Sequence, residues 1–369
     1  MKFDLFVPTR VYSGKGCLKE NKEKLSLGKN CVIVTGKHGA KASGALDDIL
    51  PILEEYKIGY RIFDEITENP PIMTCYEGGR VCADSDADFV IGIGGGSALD
   101  AAKAIAAYAA NPGIAPTDIF DKSKLTAPSL PIVAIPTTAG TGSEANPYSV
   151  LTLEGGEKKK SFSSVWSWPK FSFLDPAYTY SLGCDYTVSC ALDAFAHGIE
   201  SYLSPKSTAV SELFAMYAMR SIWSVLSQNK REFSESDREL LLFGACAAGI
   251  AISVTGTGFP HPLGYSITLL CGVPHGKACA VFEWAYIEYN MKTEAGRGRI
   301  EKICRELSVS PEELGKKLYA LADVSLKVTD ADIERFISLV KDAKNYANSP
   351  YVINGDEMHS ILRKSLMGF

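Results

Sequence analysis

The sequence predicts an α/β protein of two domains: an N-terminal doubly wound parallel sheet over residues 1–182 and an all-helical domain over residues 183–369. Three observations carry that expectation. The first half alternates short, continuously apolar runs with helical patterns, as strands buried on both faces and joined by crossover helices require. Past about Leu182 this alternation stops, and apolar residues recur only at three- and four-residue spacing. The length of 369 residues also exceeds what one hydrophobic core usually supports, roughly 250–300 residues.

The elements follow in order. Cys31–Thr35 (CVIVT) reads as a strand, followed by a helix around Leu46–Glu55. Ile58–Phe63 is the next strand, and a helix begins after Asn69-Pro70-Pro71. Asp88–Ile93 (DFVIGI) runs into Gly94-Gly95-Gly96-Ser97 and a helix over Ala98–Ala109, and Pro131–Ile135 (PIVAI) is a fourth strand. In the second half, residues 187–204, 208–228, 236–254 and 310–323 have helical spacing. Ser310-Pro311-Glu312-Glu313 puts a cap, an N1 proline and an N3 glutamate in sequence, and Thr329-Asp330 opens a helix through about Lys344. There is no internal repeat or low-complexity segment. An active site is expected at the cleft between the domains.

Composition narrows the partners. With 46% hydrophobic and 22% charged residues the chain is ordinary globular protein, and its net charge of −5 offers no positive field for nucleic acid or anionic lipid. The lysine run 158–160 reads as a solvated loop with one lysine able to reach a phosphate. The N-terminus has no signal-like apolar run, and no uninterrupted apolar stretch approaches 18 residues, so a cytoplasmic protein without a membrane partner is expected. Ten cysteines without a CxxC pair read as reduced, mostly buried thiols.

Gly94-Gly95-Gly96-Ser97 lies between a buried strand and a helix, where glycines let the backbone approach a ligand and free N–H groups suit a phosphate. Alone, this turn serves equally as a phosphate cradle or a plain tight turn, and Ser97-x-x-Asp100 also has the form of a capping box. A second loop, Pro136-Thr137-Thr138-Ala139-Gly140-Thr141-Gly142-Ser143-Glu144, follows another buried strand and is crowded with hydroxyls that can bind ribose, phosphate or carboxamide. The two together point to a dinucleotide.

Of five histidines, three fall early in the helical half. Asp193 and His197 share a helix face at i,i+4, with Glu200 placed to support them. His261 and His275 flank a Gly/Pro-rich stretch. An Asp–His pair on a helix is by itself more often a structural ion pair, so the spacing is a weak signal until the cofactor loops are counted with it. One carboxylate with three imidazoles forms a set suited to Fe²⁺ or Zn²⁺. Beside a dinucleotide such an ion has chemistry to perform, polarising a substrate oxygen while the nicotinamide accepts or gives a hydride.

At this point the motifs resemble a known family. The chain is similar to the iron-containing (group III) alcohol dehydrogenases over nearly its whole length, through FVPTRVYSGKG near the N-terminus, Glu68-Asn69-Pro70, GGGSALDAAK at 94–103, PTTAGTGSE at 136–144, LDPAYTYSL at 174–182, DAFAHGIE at 193–200, His261 and Pro274-His275-Gly276. The resemblance implies Asp193, His197, His261 and His275 as metal ligands. It implies cofactor contacts from Gly94, Gly95, Gly96, Ser97, Asp100, Thr137, Thr138, Thr141 and Ser143, and also from Asn69, Lys160 and Thr179. A homodimer through the N-terminal strands is a further implication. Three positions depart from the family pattern. Tyr265 stands where many members have a pocket histidine; a phenol hydrogen-bonds but is a poor base at neutral pH, so the proton path is expected through solvent or a ribose hydroxyl. Leu192 replaces a glycine before the first ligand. After the second-strand equivalent, Gly36-Lys37-His38 lacks the carboxylate that NAD users place there, so NADP(H) is expected, with NAD as the alternative.

The expected function is hydride transfer between NAD(P) and a small primary alcohol or aldehyde, with Asp193, His197, His261, His275 and Tyr265 at the reacting centre. Alternatives are a polyol or hydroxyacid dehydrogenase of the same family, or a lyase resembling dehydroquinate synthase. A non-catalytic metal- or nucleotide-binding protein would need a lost ligand or loop, and none is missing.

Overall fold

A computed structural model describes residues 3–367. The expected fold class holds. Six strands form one parallel sheet: β1 (Arg10–Ser13), β2 (Asn30–Val34), β3 (Gly59–Phe63), β4 (Phe89–Gly94), β5 (Ile132–Pro136) and β8 (Phe171–Leu174), in the order β1-β8-β5-β4-β2-β3. Between β5 and β8, β6 (Ser149–Thr152) and β7 (Lys159–Phe162) make a separate antiparallel hairpin. Short helices α1 (Cys17–Glu20) and α2 (Gly39–Ala42) and longer ones α3 (Ala45–Glu55), α4 (Ile72–Asp84) and α5 (Gly96–Ala110) connect the strands.

The sheet is buried on both faces, and this is why its strands read as continuous apolar runs rather than alternating ones. Val32 and Val34 of β2 join a core with Phe63, Val90 and Ile105, whereas Cys31 and Ile33 point the other way into a core with Ile49, Leu53, Phe89 and Ile91. The chain steps from β2 outward to β3 and returns to β4 on the opposite side of β2. The direction of winding therefore reverses between β2 and β4, and at such a reversal the loops at the strand carboxyl ends diverge and leave a crevice for ligand. The loops concerned are Gly36-Lys37-His38 after β2 and the glycine turn after β4.

After β8 the described chain is helical: α6 (Cys184–Leu203), α7 (Ala209–Leu226), α8 (Glu235–Thr255), α9 (Pro260–Cys271), α10 (His275–Ala280), α11 (Glu283–Asn290), α12 (Glu294–Leu307), α13 (Pro311–Ala322), α14 (Asp330–Val340) and α15 (Gly355–Met367). α13 starts with the capping box read from the sequence: Ser310 Oγ accepts from Glu313 N, and the Glu313 carboxylate accepts from Ser310 N. α14 opens the same way on Thr329 and Asp332. α8 has the length and hydropathy of a membrane span by composition, but 67% of its apolar window is packed inside the protein, as a core helix would be. The ten cysteines form no disulfide among the described residues.

The protein divides into two compact units, and not by a single cut at 182. One unit comprises Phe6–Leu182 together with Ser234–Leu242, and the other comprises Gly183–Phe233 with residues 243–367 and 3–5. The start of α8 belongs with the sheet because buried Arg238 donates to the carbonyls of Thr179 and Leu182. In the helical unit α6 packs on α7 and α10, and α10 on α9. Gly276 permits the α6–α10 contact: a Cβ there would stand 1.7 Å from Ser189 O and 2.9 Å from Asp193 N. Buried Lys277 of α10 adds an ion pair to Asp185 of α6 at 2.5 Å.

Gly276→Ala is therefore expected to separate α10 from α6 at a cost at or above the upper end of the usual overpacking penalty, about 3 kcal/mol. Denaturant midpoints of the metal-free protein would measure it. A loss below about 1 kcal/mol would mean the helices can shift apart freely.

Candidate active site

The helical unit gathers the metal-ligating residue types. Asp193 and His197 are one turn apart on α6, and Glu200 follows on its buried face. α9 begins at Pro260, whose fixed φ suits the first helical position, and His261 is the next residue. His275 is the first residue of α10, after extended Pro274. Three imidazoles converge on one carboxylate oxygen: Asp193 Oδ1 stands 3.9 Å from His197 Nε2, 3.6 Å from His261 Nε2 and 3.8 Å from His275 Nε2. His197 and His261 stack with centroids 4.6 Å apart, and His275 lies edge-on to His261 at 5.5 Å. His275 keeps 26% of its side chain exposed, against 5% for Asp193.

Glu200 fixes the tautomer of His261. Its Oε1 is 2.7 Å from His261 Nδ1, and its Oε2 accepts from Gly258 N at 2.5 Å. With a carboxylate as acceptor Nδ1 is the donor, which turns Nε2 toward Asp193 as the nitrogen left for a proton or a cation. Neither Asp193 Oδ1 nor His261 Nε2 has a hydrogen-bond partner among the described residues. Two buried acceptors 3.6 Å apart call for a proton or a cation between them. Four oxygen and nitrogen donors at about 2.1 Å from one ion, at tetrahedral angles, stand about 3.4 Å apart. The donor set and its spacing fit a divalent ion of the Fe²⁺ or Zn²⁺ kind.

The local fields agree. Burial pushes Asp193 up, but the neighbouring His197 and His261 outweigh it and hold the carboxyl well below its ordinary range. Burial pushes His261 down, yet Glu200 and Asp193 raise it to about 9. Such surroundings favour positive charge at the convergence point. Behind Glu200 lies a residue that sequence reasoning misses, buried Glu283 of α11, whose oxygens have no hydrogen-bond donor among the described residues. Burial and then the Glu200 charge raise it well above the usual carboxyl range, so it is the protonated member of that pair. Nothing in the sequence around Glu283 marks it out. Tyr265, one turn after His261, stacks on His275 with centroids 5.4 Å apart.

The sheet unit assembles the loops. Gly94 has φ 149°, a backbone that only glycine adopts readily, and a Cβ at Gly95 or Gly96 would meet Thr138 Cγ2 at 3.0 Å or Thr141 Cγ2 at 2.4 Å. The glycines thus make room for the threonine loop as well as for a ligand. Thr137 N donates to Gly94 O at 2.9 Å, which joins the loops directly. Asn69, left-handed at φ 56°, donates its N–H to Ser97 Oγ at 3.1 Å. This corrects the capping-box reading: the N-cap of α5 is Gly95, Ser97 is engaged by Asn69, and the Asp100 oxygens accept from Ser143 Oγ at 2.5 Å and Val150 N at 2.8 Å. Asp100 and Ser143 therefore hold the cradle together through their own hydrogen bonds. Thr179 Oγ1 donates to Pro176 O at 2.8 Å, and Lys160 Nζ stands over the Phe120 ring at 4.5 Å. Gly36 and exposed Lys37 lie beyond the carboxyl end of β2.

Lys103 also escapes a reading of the sequence. Fully buried, it donates to Ser143 Oγ at 2.6 Å and Tyr148 O at 2.7 Å and lies 4.0 Å from Asp100. Burial lowers it to about 8 despite Asp100 and Glu144, and burial raises Glu144 to about 7.

The sequence matches two family models end to end: iron-containing alcohol dehydrogenase over residues 8–176 and the C-terminal region of the Fe-containing alcohol dehydrogenase family over residues 187–366. The chain belongs to the iron-containing alcohol dehydrogenase family. It is a metal-dependent oxidoreductase of that kind. Among relatives, a 1,3-propanediol dehydrogenase of Klebsiella pneumoniae is 33% identical over 300 residues, covering 78% of this chain and 76% of its own. An NADPH-dependent butanol dehydrogenase of Clostridium saccharobutylicum is 29% identical over 314 residues, covering 84% and 79%. The crystal structure of an iron-containing alcohol dehydrogenase from Thermotoga maritima superposes with a TM-score of 0.93 at 34% identity, covering 99% of this chain and 100% of that one.

A raised carboxyl such as Glu144 contributes stability that is complete below its unfolded value and lost as pH rises through the folded one. The cofactor-free protein is thus expected to lose stability between pH 4.5 and about 7 through this group, and Glu144→Gln to flatten that slope. Denaturation across the window checks it; equal slopes in both proteins would show that Glu144 titrates normally.

Proposed function

We propose that the protein moves a hydride between a nicotinamide dinucleotide and a small primary alcohol or its aldehyde, with a divalent ion, Fe²⁺ or Zn²⁺, held by Asp193, His197, His261 and His275. The observation that carries this reading is the approach of three imidazole nitrogens to Asp193 Oδ1 at 3.6–3.9 Å in a chain of this family. When bound, the ion polarises the substrate oxygen and so eases hydride loss from the alcohol carbon or hydride gain by the aldehyde. Glu200 orients His261 and keeps its Nε2 free to ligate. Tyr265 offers a hydroxyl to orient substrate and is no base at neutral pH, so the alcohol proton leaves through solvent or a ribose hydroxyl.

For the coenzyme, Gly94, Gly95, Gly96 and Ser97 at the start of α5 are placed to take the pyrophosphate. Thr137, Thr138 and Thr141 supply hydroxyl and backbone donors, while Asp100 and Ser143 hold the two loops in place. Asn69 shapes the turn beside Ser97. Lys160 and Thr179 are weaker candidates for direct contact, because each is already engaged within the protein. Gly36 and Lys37 set the coenzyme choice: without a carboxylate after β2, a 2′-phosphate meets a lysine rather than an acid, which favours NADPH. Relatives include both NADPH- and NADH-dependent butanol dehydrogenases, so this preference rests on the chain's own residues. Butanol and 1,3-propanediol dehydrogenases among them support a short aliphatic alcohol or diol as substrate. The family match leaves the lyase alternative without support. A homodimer through the N-terminal strands is supported by the edge position of β1.

Asp193→Ala and His261→Ala are expected to lose bound metal and at least ~10³-fold in turnover with C2–C5 aldehydes. Variants that stay fully active would overturn the ligand assignment. Glu200→Gln is expected to keep the fold and weaken metal binding by about 10- to 100-fold. Initial rates should favour NADPH over NADH, and Lys37→Glu should shift the ratio toward NADH by on the order of tenfold. A ratio unmoved by that substitution would place the 2′-phosphate elsewhere.

A further inference from the structure

The turn that carries the Gly258 N–H to Glu200 lies between two helices: α8 ends at Thr255, Gly256 is left-handed at φ 73°, and α9 starts only at Pro260. It is gripped from a segment 91 residues beyond it. Buried Asn348, the last residue of the 3-10 turn Lys344–Asn348, donates from Nδ2 to Thr255 O at 2.7 Å and to Thr257 O at 3.1 Å. Its Oδ1 accepts from Ser204 Oγ at 2.7 Å, just past the end of α6. Both amide hydrogens and the amide oxygen are thereby engaged, and this fixes which way the side chain faces. Asn345 Nδ2 adds a bond to Thr257 Oγ1 at 2.7 Å, and Thr255 Oγ1 donates to Ser201 Oγ at 2.9 Å in the last turn of α6. Thr257 O and Gly258 N are the two polar ends of one planar peptide unit, so a bond that fixes the carbonyl also aims the N–H. That N–H donates to Glu200 Oε2 at 2.5 Å, and Glu200 Oε1 accepts from His261 Nδ1 at 2.7 Å.

We propose that Asn348 is a positioning residue for the metal site: it clamps the Gly256-Thr257-Gly258 turn to the end of α6 and so sets the Gly258 N–H, the Glu200 carboxylate and, through them, the ring of His261. The inference rests on the metal site proposed above. Every link in this path is a hydrogen bond between buried groups of the helical unit, where a misplaced polar group finds no water to replace its partner. An amide that only stabilised the fold would act on unfolding and leave the folded protein's metal affinity alone. A positioning amide acts on metal affinity, and does so only while Glu200 is there to transmit it.

The test measures the Zn²⁺ affinity of the metal-free full-length protein, by competition with a chelator, in a double-mutant cycle. Asn348→Ala is expected to weaken Zn²⁺ binding about tenfold. Glu200→Ala removes the contacts to both Gly258 and His261, and adding Asn348→Ala to it should change the affinity by less than about twofold. Asn345→Ala keeps the Asn348 clamp and loosens its grip on Thr257, so it should give a smaller loss with the same dependence on Glu200; it carries the test if Asn348→Ala does not fold. Unfolding midpoints recorded alongside separate lost stability from lost affinity. Variants that are less stable yet bind Zn²⁺ as wild type does, or equal losses with and without Glu200, would overturn the role of Asn348 and leave the metal site standing. Failure of wild type to bind Zn²⁺ would overturn both.

Discussion

At Gly276 the backbone of α10 lies so close to α6 that any side chain would collide with the Ser189 carbonyl, and the convergence of Asp193, His261 and His275 depends on that approach. Asp193 and His197 come from α6, His261 from α9, and His275 from α10. A helix carries donors on one face only, so a shell around an ion needs at least two helices whose backbones nearly touch. The glycine supplies the touch, and the Lys277–Asp185 pair holds the same two helices together. Further from the centre, Gly258 admits the Tyr286 hydroxyl, which would lie 2.6 Å from a Cβ, and its N–H then binds Glu200. His275 and, through Glu200, His261 are thus placed by glycines that have no chemistry of their own.

The sheet unit solves the same problem differently. Its two loops must lie side by side, yet both sit at the ends of strands and have little apolar surface to bury. Glycines remove the steric obstacle, and a buried ammonium supplies the attraction. Lys103 binds Ser143 and Tyr148 while Asp100 binds Ser143 and Val150, which ties α5 to the threonine loop and to β6. Burying Lys103 costs desolvation free energy, visible in its lowered proton affinity, and its hydrogen bonds and the nearby Asp100 offset that cost. The two loops are thus held side by side by the protein's own hydrogen bonds.

How far this is legible in the sequence follows from where the information lies. β2, β4 and β5 are readable because burial on both faces leaves a continuous apolar run, and the fold class follows from them. β1, β8 and the β6–β7 hairpin are not, since RVYS, FSFL and KKSF are too short to show a period. The three imidazoles stand out because histidines are few and the motif order is distinctive. Lys103 and Glu283 escape notice because a charged residue within a helical pattern reads as solvent-facing until its neighbours are known. Asp100 and Ser97 mislead for a related reason: S-x-x-D at a helix start is a local pattern, whereas their actual partners, Val150, Ser143 and Asn69, are distant in sequence.

The electrostatics of the helical unit give the site its direction. Glu200 accepts the Nδ1–H of His261, so the ring turns Nε2 toward an ionised Asp193, where a proton or a cation belongs. Burial and the neighbouring Glu200 raise Glu283 well above the usual carboxyl range, so two like charges do not face each other behind His261. The Glu200 carboxylate stands directly behind His261 and strengthens it as a donor, and buried Phe259 packs edge-on to Tyr286 at 4.9 Å. The more exposed side is at His275 and Tyr265, with His275 keeping 26% of its surface accessible against 3% for His261. A substrate oxygen reaching the proposed site would have its least obstructed approach along that side, beside the Tyr265 ring stacked on His275.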